Sequence, residues 1–120
     1  MKLKALFLTL TILFLAGIAN SQVKINNIAV TTNTGSIVNP KPTINTDVGA
    51  TVNLRNDGPA AAILTIHDID SGNIVAEVSL PNPSNFNTIH GLDKGEYIIK
   101  IRESSKPIEE AKECGTLVVH

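Results

Sequence analysis

Residues 61–80 read AAILTIHDIDSGNIVAEVSL and carry the strongest structural signal in the chain. Aliphatic residues alternate with others on both sides of Asp70-Ser71-Gly72-Asn73, and a period of two is typical of half-buried strands. Asp, Ser, Gly and Asn favour tight turns. The segment therefore predicts an antiparallel β-hairpin. On the first arm, one face carries Ala62, Leu64 and Ile66, and the other carries Ile63, Thr65 and His67. On the second arm, the side chains expected to face inward are Ile74, Ala76, Val78 and Leu80, and those expected to face outward are Val75, Glu77 and Ser79.

Short strands of the same kind are predicted before and after this hairpin. With the two arms of the hairpin they number seven, and the other five are residues 23–31, 50–56, 86–90, 96–102 and 113–119. About seven short strands separated by turn residues predict an all-β fold, an immunoglobulin or fibronectin-III-like β-sandwich. The turn Asn56-Asp57-Gly58-Pro59 precedes the hairpin.

Three segments depart from a regular pattern of strands and short turns. The aliphatic residues of 23–31 change parity at Asn26-Asn27, which predicts a bulge or a strand that changes sheets. Residues 32–45 are expected to be a polar loop, in which Pro40 and Pro42 restrict the chain to a sheet edge or a connection. The charged residues 103–113 are expected to form a flexible hairpin loop, with a turn of helix at 108–112 as the alternative.

The first residues have the layout of a secretory signal peptide. Lys2 and Lys4 precede an apolar run, and small residues follow it. The run is shorter than the roughly 20 apolar residues that a transmembrane helix needs, so we expect cleavage and no membrane span in the mature form. The small-x-small rule favours cleavage after Ser21, with Ala19 as the alternative. The sequence therefore predicts a signal peptide at 1–21 and one domain at 22–120, exported to the periplasm, the cell surface or the medium.

The composition of the chain argues against nucleic acid as a partner and against stabilisation by an internal disulfide. Beyond residue 21 the chain has eight basic and eleven acidic residues, a net charge of −3, and no basic run. Nucleic acid is therefore not expected as a partner, because phosphate binding needs clustered Lys and Arg. Cys114 is the single cysteine, so an internal disulfide is excluded. It is expected to be a small apolar residue at the start of the last strand, although a free reactive thiol or a bond between two chains stays open.

The segment Leu92-Asp93-Lys94-Gly95-Glu96-Tyr97 is the most specific motif. Its Leu-x-x-Gly-x-Tyr form is found where a Greek-key chain crosses between sheets and a tyrosine hydroxyl returns to the backbone, a tyrosine corner. The Leu is expected to close the end of the core, and the Gly to adopt a conformation that other residues avoid. Tyr97 is therefore expected to be structural.

A family resemblance rests on residues 64–75, 92–101 and 115–119. Their pattern resembles small exported immunoglobulin-like domains of unknown function that are abundant in Bacteroidetes. It is also similar to the C-terminal sorting domain of type IX secretion cargo, which usually ends a much longer protein. The first group is the better match. Neither resemblance implies a catalytic residue.

The sequence predicts no catalytic, cofactor-binding or metal-binding residue. Asp68 to Asn73 has the oxygen-bearing residues of a calcium loop but ends too early, so a hairpin turn is expected. The histidines His67, His90 and His120 lack metal-ligand spacing. No Gly-x-Ser-x-Gly elbow is present, and glutamates near Cys114 disfavour its thiolate. Glu109 and Glu110 fall in the charged loop, where fixed acid–base geometry is not expected.

The function expected from these observations is that of a non-catalytic module that binds a protein or a glycan, or is structural, at the cell envelope. The loops 32–46, 81–85 and 103–113 have the most freedom to make contacts. Two alternatives stay open: a secreted inhibitor of a protease or other hydrolase, with the stiff loop 81–86 as a wedge, and a stand-alone sorting-like domain.

Overall fold

A computed structural model describes residues 21–32, 35–81 and 85–120 of the chain. The predicted signal peptide lies outside these residues except for Ser21. The described residues form nine strands and one short 3₁₀ turn, Ile108–Glu110. The strands are β1 (Val23–Ile25), β2 (Ile28–Ala29), β3 (Thr43–Thr46), β4 (Val52–Asn56), β5 (Ala62–Asp68), β6 (Ile74–Leu80), β7 (Asn85–Ile89), β8 (Gly95–Glu103) and β9 (Lys112–Val119).

The strands make two packed sheets, so the all-β prediction is confirmed. One sheet has the order β2-β1-β4-β7 and the other has the order β3-β9-β8-β5-β6. Neighbouring strands are antiparallel, except that β3 runs parallel to β9. The predicted number of seven strands was too low, because two short strands, β2 and β3, lie in segments that had been assigned to the first strand and to a loop.

The hairpin predicted from residues 61–80 is confirmed as β5 and β6. On β5, Leu64 and Ile66 belong to the hydrophobic core, and Thr65 and His67 on the opposite face are buried as well. The inward assignment of Ile74 was wrong, since this side chain is 43% exposed. Ile66 pairs with Ala76 but His67 pairs with Ile74, so one extra residue lies between these two positions on β6. Such a bulge moves the residues beyond it to the opposite face of the sheet.

The prediction of a bulge or a change of sheet at Asn26-Asn27 was also wrong. Lys24 pairs with Ala29 in an antiparallel register, so Asn26 and Asn27 form a two-residue hairpin loop. Their φ angles are 49° and 66°. Tight hairpins need positive φ at both central residues, and Asn tolerates this conformation better than most residues do. The parity of the aliphatic residues changes because the chain reverses there.

Residues 32–45 are not a loop throughout, because β3 occupies their end. β3 lies at the edge of the five-stranded sheet, as Pro40 and Pro42 had indicated. It lies very close to β9: a Cβ atom added at Gly115 would be 2.8 Å from the carbonyl oxygen of Pro42. The same carbonyl accepts a hydrogen bond from the Thr116 amide at 3.1 Å. Glycine at 115 therefore permits the approach of the parallel strand.

The core lies between the two sheets and is mainly aliphatic. Val, Ile and Leu side chains from both layers are almost completely shielded from water, and burying each contributes about 1.5–3 kcal/mol. The buried apolar residues are Val23, Ile25, Val30, Ile44, Val52, Leu54, Ala62, Leu64, Ile66, Leu80, Ile89, Tyr97, Ile99, Ile101, Cys114, Leu117 and Val119. Leu92, expected to close the end of the core, packs against this cluster and is half-buried.

The tyrosine corner has the predicted geometry. Residues 90–94 connect β7 in one sheet to β8 in the other. Tyr97 is 6% exposed, and its hydroxyl donates a 2.6 Å hydrogen bond to the Asp93 carbonyl oxygen. Gly95 has φ of +157°, a value that L-residues rarely adopt. Burial raises the pKa of the Tyr97 phenol, and the carboxylates of Asp93 and Asp68 raise it further.

We expect Tyr97→Phe to lower the free energy of unfolding by about 1 kcal/mol, the net value of one hydrogen bond. The substitution removes the hydroxyl and leaves the Asp93 carbonyl without this donor, while the ring can still fill its place in the core. Urea unfolding at neutral pH measures the change. Identical midpoints for the two chains would show that the corner is not stabilising.

Candidate functional site

Exposed aliphatic side chains are concentrated at one end of the molecule. Six large aliphatic side chains are exposed among the described residues, and four of them lie at this end: Val48 (56% exposed), Ile69 (42%), Ile74 (43%) and Val75 (47%). The end is formed by loops 47–51, 69–73 and 90–94 and the first residues of β6. We call it the three-loop end. Of the other two exposed aliphatic residues, Ile28 lies on β2, at the edge of the four-stranded sheet, and Ile108 lies on the 3₁₀ turn.

Strand pairing brings these loops to the same end. The last residue of β3 pairs with Val119, and Val119 pairs with Gly95 at the start of β8. The end of β5 lies beside the same part of β8, since Asp68 pairs with Tyr97. In the other sheet, the start of β4 pairs with the end of β7, so loop 90–94 begins at this end too.

Backbone hydrogen bonds hold two of the loops. The amide of Val48 donates to the carbonyl of His120 at 3.0 Å, and the amide of Ile69 donates to the carbonyl of Glu96 at 3.2 Å. In the hairpin turn, the Asp68 carboxylate accepts from the amide and the hydroxyl of Ser71. The turn expected at this position is therefore confirmed. Val48 and Ile69 are exposed on a backbone that is tied to neighbouring strands.

The three-loop end is acidic. It carries five carboxylates and one lysine: Asp47, Asp68, Asp70, Asp93, Glu96 and Lys94. Beyond residue 21 the rest of the chain has seven basic and six acidic residues, so the excess negative charge lies here. The pKa of Asp68 is lowered, chiefly by the hydrogen bond from the Ser71 amide and then by its hydroxyl. No group of three His, Cys, Asp or Glu within the described residues is arranged to hold a metal ion.

The opposite end contains a cleft of about 330 Å³. Its buried hydroxyl groups already have partners within the chain. The Thr31 hydroxyl donates to the Ser21 carbonyl at 3.0 Å and accepts from the Val23 amide at 2.7 Å, and the Ser21 hydroxyl donates to Ala60 at 3.4 Å. The exposed side chains of Lys106 and Glu110 also line the cleft. So does Arg102, whose side chain is 11% exposed: its Nη2 atom is 3.6 Å from Glu77, and its buried Nε and Nη1 atoms have no hydrogen-bond partner among the described residues. The cleft thus has little excess charge and no buried hydroxyl free for a ligand.

Of the loops predicted to make contacts, residues 103–113 lie at this opposite end, and residues 32–46 end in β3. Residues 103–113 contain the 3₁₀ turn Ile108–Glu110, so the local helical alternative is the one found. Glu109 and Glu110 are exposed on that turn. The segment 81–86, proposed as an inhibitory wedge, lies largely outside the described residues. Sequence reasoning selected these loops by their polar and flexible composition and missed the three-loop end.

The buried polar side chains serve the fold. Asn56, assigned to a turn from sequence, is completely buried and makes four hydrogen bonds. The Nδ1 atom of His67 is 3.3 Å from the Gly72 carbonyl, and Nε2 is 2.8 Å from the Thr65 hydroxyl. Both ring nitrogens therefore have partners, and the ring lies on a strand face as expected. His120 is bound to the Asn45 side chain at 2.9 Å.

Cys114 is buried, as predicted for a small apolar residue. Its side chain is inaccessible to solvent, and Sγ lies 3.5 Å from the carbonyl oxygen of Ile99. Burial raises the pKa of the thiol to about 12, and the charge of Glu113 adds to this effect. A thiol with this pKa is protonated at neutral pH and is a poor nucleophile.

We therefore expect the native chain to resist thiol reagents and to react with them only on unfolding. The raised pKa also has a consequence for stability. Between the ordinary pKa of about 9 and the folded value of about 12 the native state retains a proton that the unfolded chain loses, so stability decreases as pH rises through this window. The loss is expected to be smaller in Cys114→Ala. Rapid labelling of the native thiol would contradict the prediction.

Comparison with protein-family models, curated proteins and solved structures finds no match for this chain. Among the described residues, no helix has the length and apolar character needed to span a membrane.

Proposed function

We propose that this chain is an exported, non-catalytic module of the immunoglobulin type that binds a protein partner through its three-loop end. The observation that carries the proposal is the position of Val48, Ile69, Ile74 and Val75. Ile69, Ile74 and Val75 lie together on the β5–β6 hairpin, and Val48 lies at the same end beyond the edge strand β3. Contiguous exposed apolar side chains with polar residues around them mark interaction surfaces. End loops on a rigid sandwich are also the usual contact regions of such domains.

Several features support the immunoglobulin type. The second sheet contains the hairpin β5–β6 beside the hairpin β8–β9, and β7 lies in the first sheet. The chain crosses between the sheets at a tyrosine corner, which is a hallmark of these sandwiches. The edge strand β3 runs parallel to the last strand.

The non-catalytic role is supported by the way in which reactive side chains are used. The Cys114 thiol is buried with a raised pKa, and both ring nitrogens of His67 make hydrogen bonds within the chain. Export is supported by the leader-like composition of residues 1–21.

A protein partner is favoured over a glycan by the chemistry of the three-loop end. Its exposed apolar surface consists of aliphatic side chains, which gain most from contact with other aliphatic groups. Tyr97, the aromatic residue nearest this end, is buried in the core and offers no exposed ring on which a sugar could stack.

The proposal is tested by capture of partners from the native envelope and culture medium with the exported chain. Val48→Ser with Ile69→Ser is expected to lose the captured protein, because both side chains are exposed and both lie on the proposed surface. Ile108→Ser, which removes an equally exposed aliphatic side chain at the opposite end, is the matched control. Capture that survives in the double variant and fails in the control would contradict the proposal.

A further inference from the structure

We propose that the segment recognised by the three-loop end is basic as well as aliphatic, such as an extended stretch of another protein in which pairs of lysine or arginine residues alternate with pairs of valine or isoleucine residues, so that each face of the strand carries both kinds of side chain. This inference rests on the proposed function and adds the chemistry of the partner. The charge at this end indicates the charge of the partner, and the width of the end indicates the length of the bound segment.

The negative charge of the three-loop end favours a partner with positive charge. Five carboxylates and one lysine lie at the same end as the exposed aliphatic residues, which leaves four net negative charges at this end with histidines neutral. Charged groups around an interface accelerate encounter with partners of opposite charge and disfavour those of like charge. An anionic membrane or a nucleic acid would be repelled, whereas a cationic segment would be attracted.

The width of the end sets the length of the segment. β3 and β6 are the outer strands of the five-stranded sheet and are four inter-strand spacings apart, about 19 Å at about 4.8 Å each. An extended chain rises about 3.4 Å per residue, so roughly six residues span this distance. Long lysine side chains can lay their methylene groups on the aliphatic surface while the ammonium groups reach the carboxylates.

A second copy of this chain does not supply the required charge. Two three-loop ends facing each other would bring like charges together. The loop at the opposite end carries Lys106 and Lys112 beside Glu103, Glu109 and Glu110, so it is not a basic surface. The partner that fits is therefore a different protein.

The test uses the exported chain and the blocked heptapeptide Lys-Lys-Val-Val-Lys-Lys-Val, which has lysine and valine on both faces when extended. Calorimetry is expected to show binding that weakens at least tenfold between 50 and 300 mM NaCl. The triple variant Asp47→Asn, Asp70→Asn, Glu96→Gln is expected to weaken binding at least tenfold. The control triple Glu103→Gln, Glu109→Gln, Glu110→Gln makes the same change of charge at the opposite end and is expected to stay within twofold.

A matching peptide with glutamate in place of lysine is expected not to bind. Equal binding of the two peptides, an unchanged affinity in the first triple variant, no binding of the lysine peptide at millimolar concentration, or self-association of the chain through this end would each overturn the inference. Failure of the proposed function gives a different result from failure of this inference. If the proposed function is wrong, the variant Val48→Ser with Ile69→Ser still captures the native partner. If that variant loses capture while the charge variants do not, the binding surface stands and only the basic partner is wrong.

Discussion

Asn56→Ala is expected to lower the free energy of unfolding by about 3 kcal/mol. The side chain is buried, and it joins segments that are distant in sequence. Its oxygen accepts from the amides of Gln22 and Gly58, and its nitrogen donates to the carbonyls of Ala60 and Leu80. Alanine leaves these four backbone groups without their partner. The Gln22 and Ala60 bonds are only partly buried, so water can replace them, whereas the Leu80 and Gly58 groups are buried and each costs about 1–3 kcal/mol when unsatisfied.

The effect is measured by urea unfolding beside Asn53→Ala, an exposed asparagine on the same strand that should change stability by less than about 0.5 kcal/mol. Asn56→Asp adds a pH test. A buried carboxylate facing two carbonyl oxygens has its folded pKa raised, so the variant should be most stable in acid and lose stability as pH rises through that value. Equal stabilities of Asn56→Ala and Asn53→Ala would show that this network does not hold the layers together.

Leu64→Ala is expected to lower stability by about 3 kcal/mol, within the usual range of about 2–5 kcal/mol for a buried leucine. Leu64 is fully buried on β5, which pairs with both β6 and β8. Its removal leaves a cavity between the two sheets that neighbouring strands cannot close. Thermal unfolding of Leu64→Ala and of Val75→Ala, on the exposed start of the adjacent strand, makes the comparison. A loss for Val75→Ala as large as that for Leu64→Ala would contradict the assigned faces.

The parts of the fold that sequence predicts best are those governed by local physics. The hairpin of β5 and β6 follows from a period of two interrupted by turn residues. The crossing between sheets follows from Leu92, Gly95 and Tyr97, which have separate structural tasks within six residues. In both cases the residues that specify the structure are close together in the chain.

The incorrect predictions depend on pairing between strands. The parity change at Asn26-Asn27 has the same appearance for a bulge and for a tight hairpin, and only the pairing of Lys24 with Ala29 distinguishes them. Ile74 continues the inward pattern of β6 in sequence. The bulge opposite Ile66 and His67 turns it to the other face, and no residue type in the segment indicates this.

The three-loop end could not be predicted from sequence for a related reason. Val48 and Ile69 are single aliphatic residues in polar turns that are 21 positions apart, and neither turn has an unusual composition. They lie at one end because β3 runs parallel to β9 and β9 pairs with β8, a non-local arrangement. The segregation of charge becomes visible only after these pairings are known.

The most direct test of the three-loop end as the binding surface is a nuclear magnetic resonance titration of isotope-labelled residues 22–120 with the lysine–valine heptapeptide. We predict that amide shifts change around residues 47–51, 69–75 and 93–96 and that loop 103–112 stays unchanged. Shift changes centred on the cleft and loop 103–112, with residues 47–51 and 69–75 unaffected, would contradict the assignment of the binding surface.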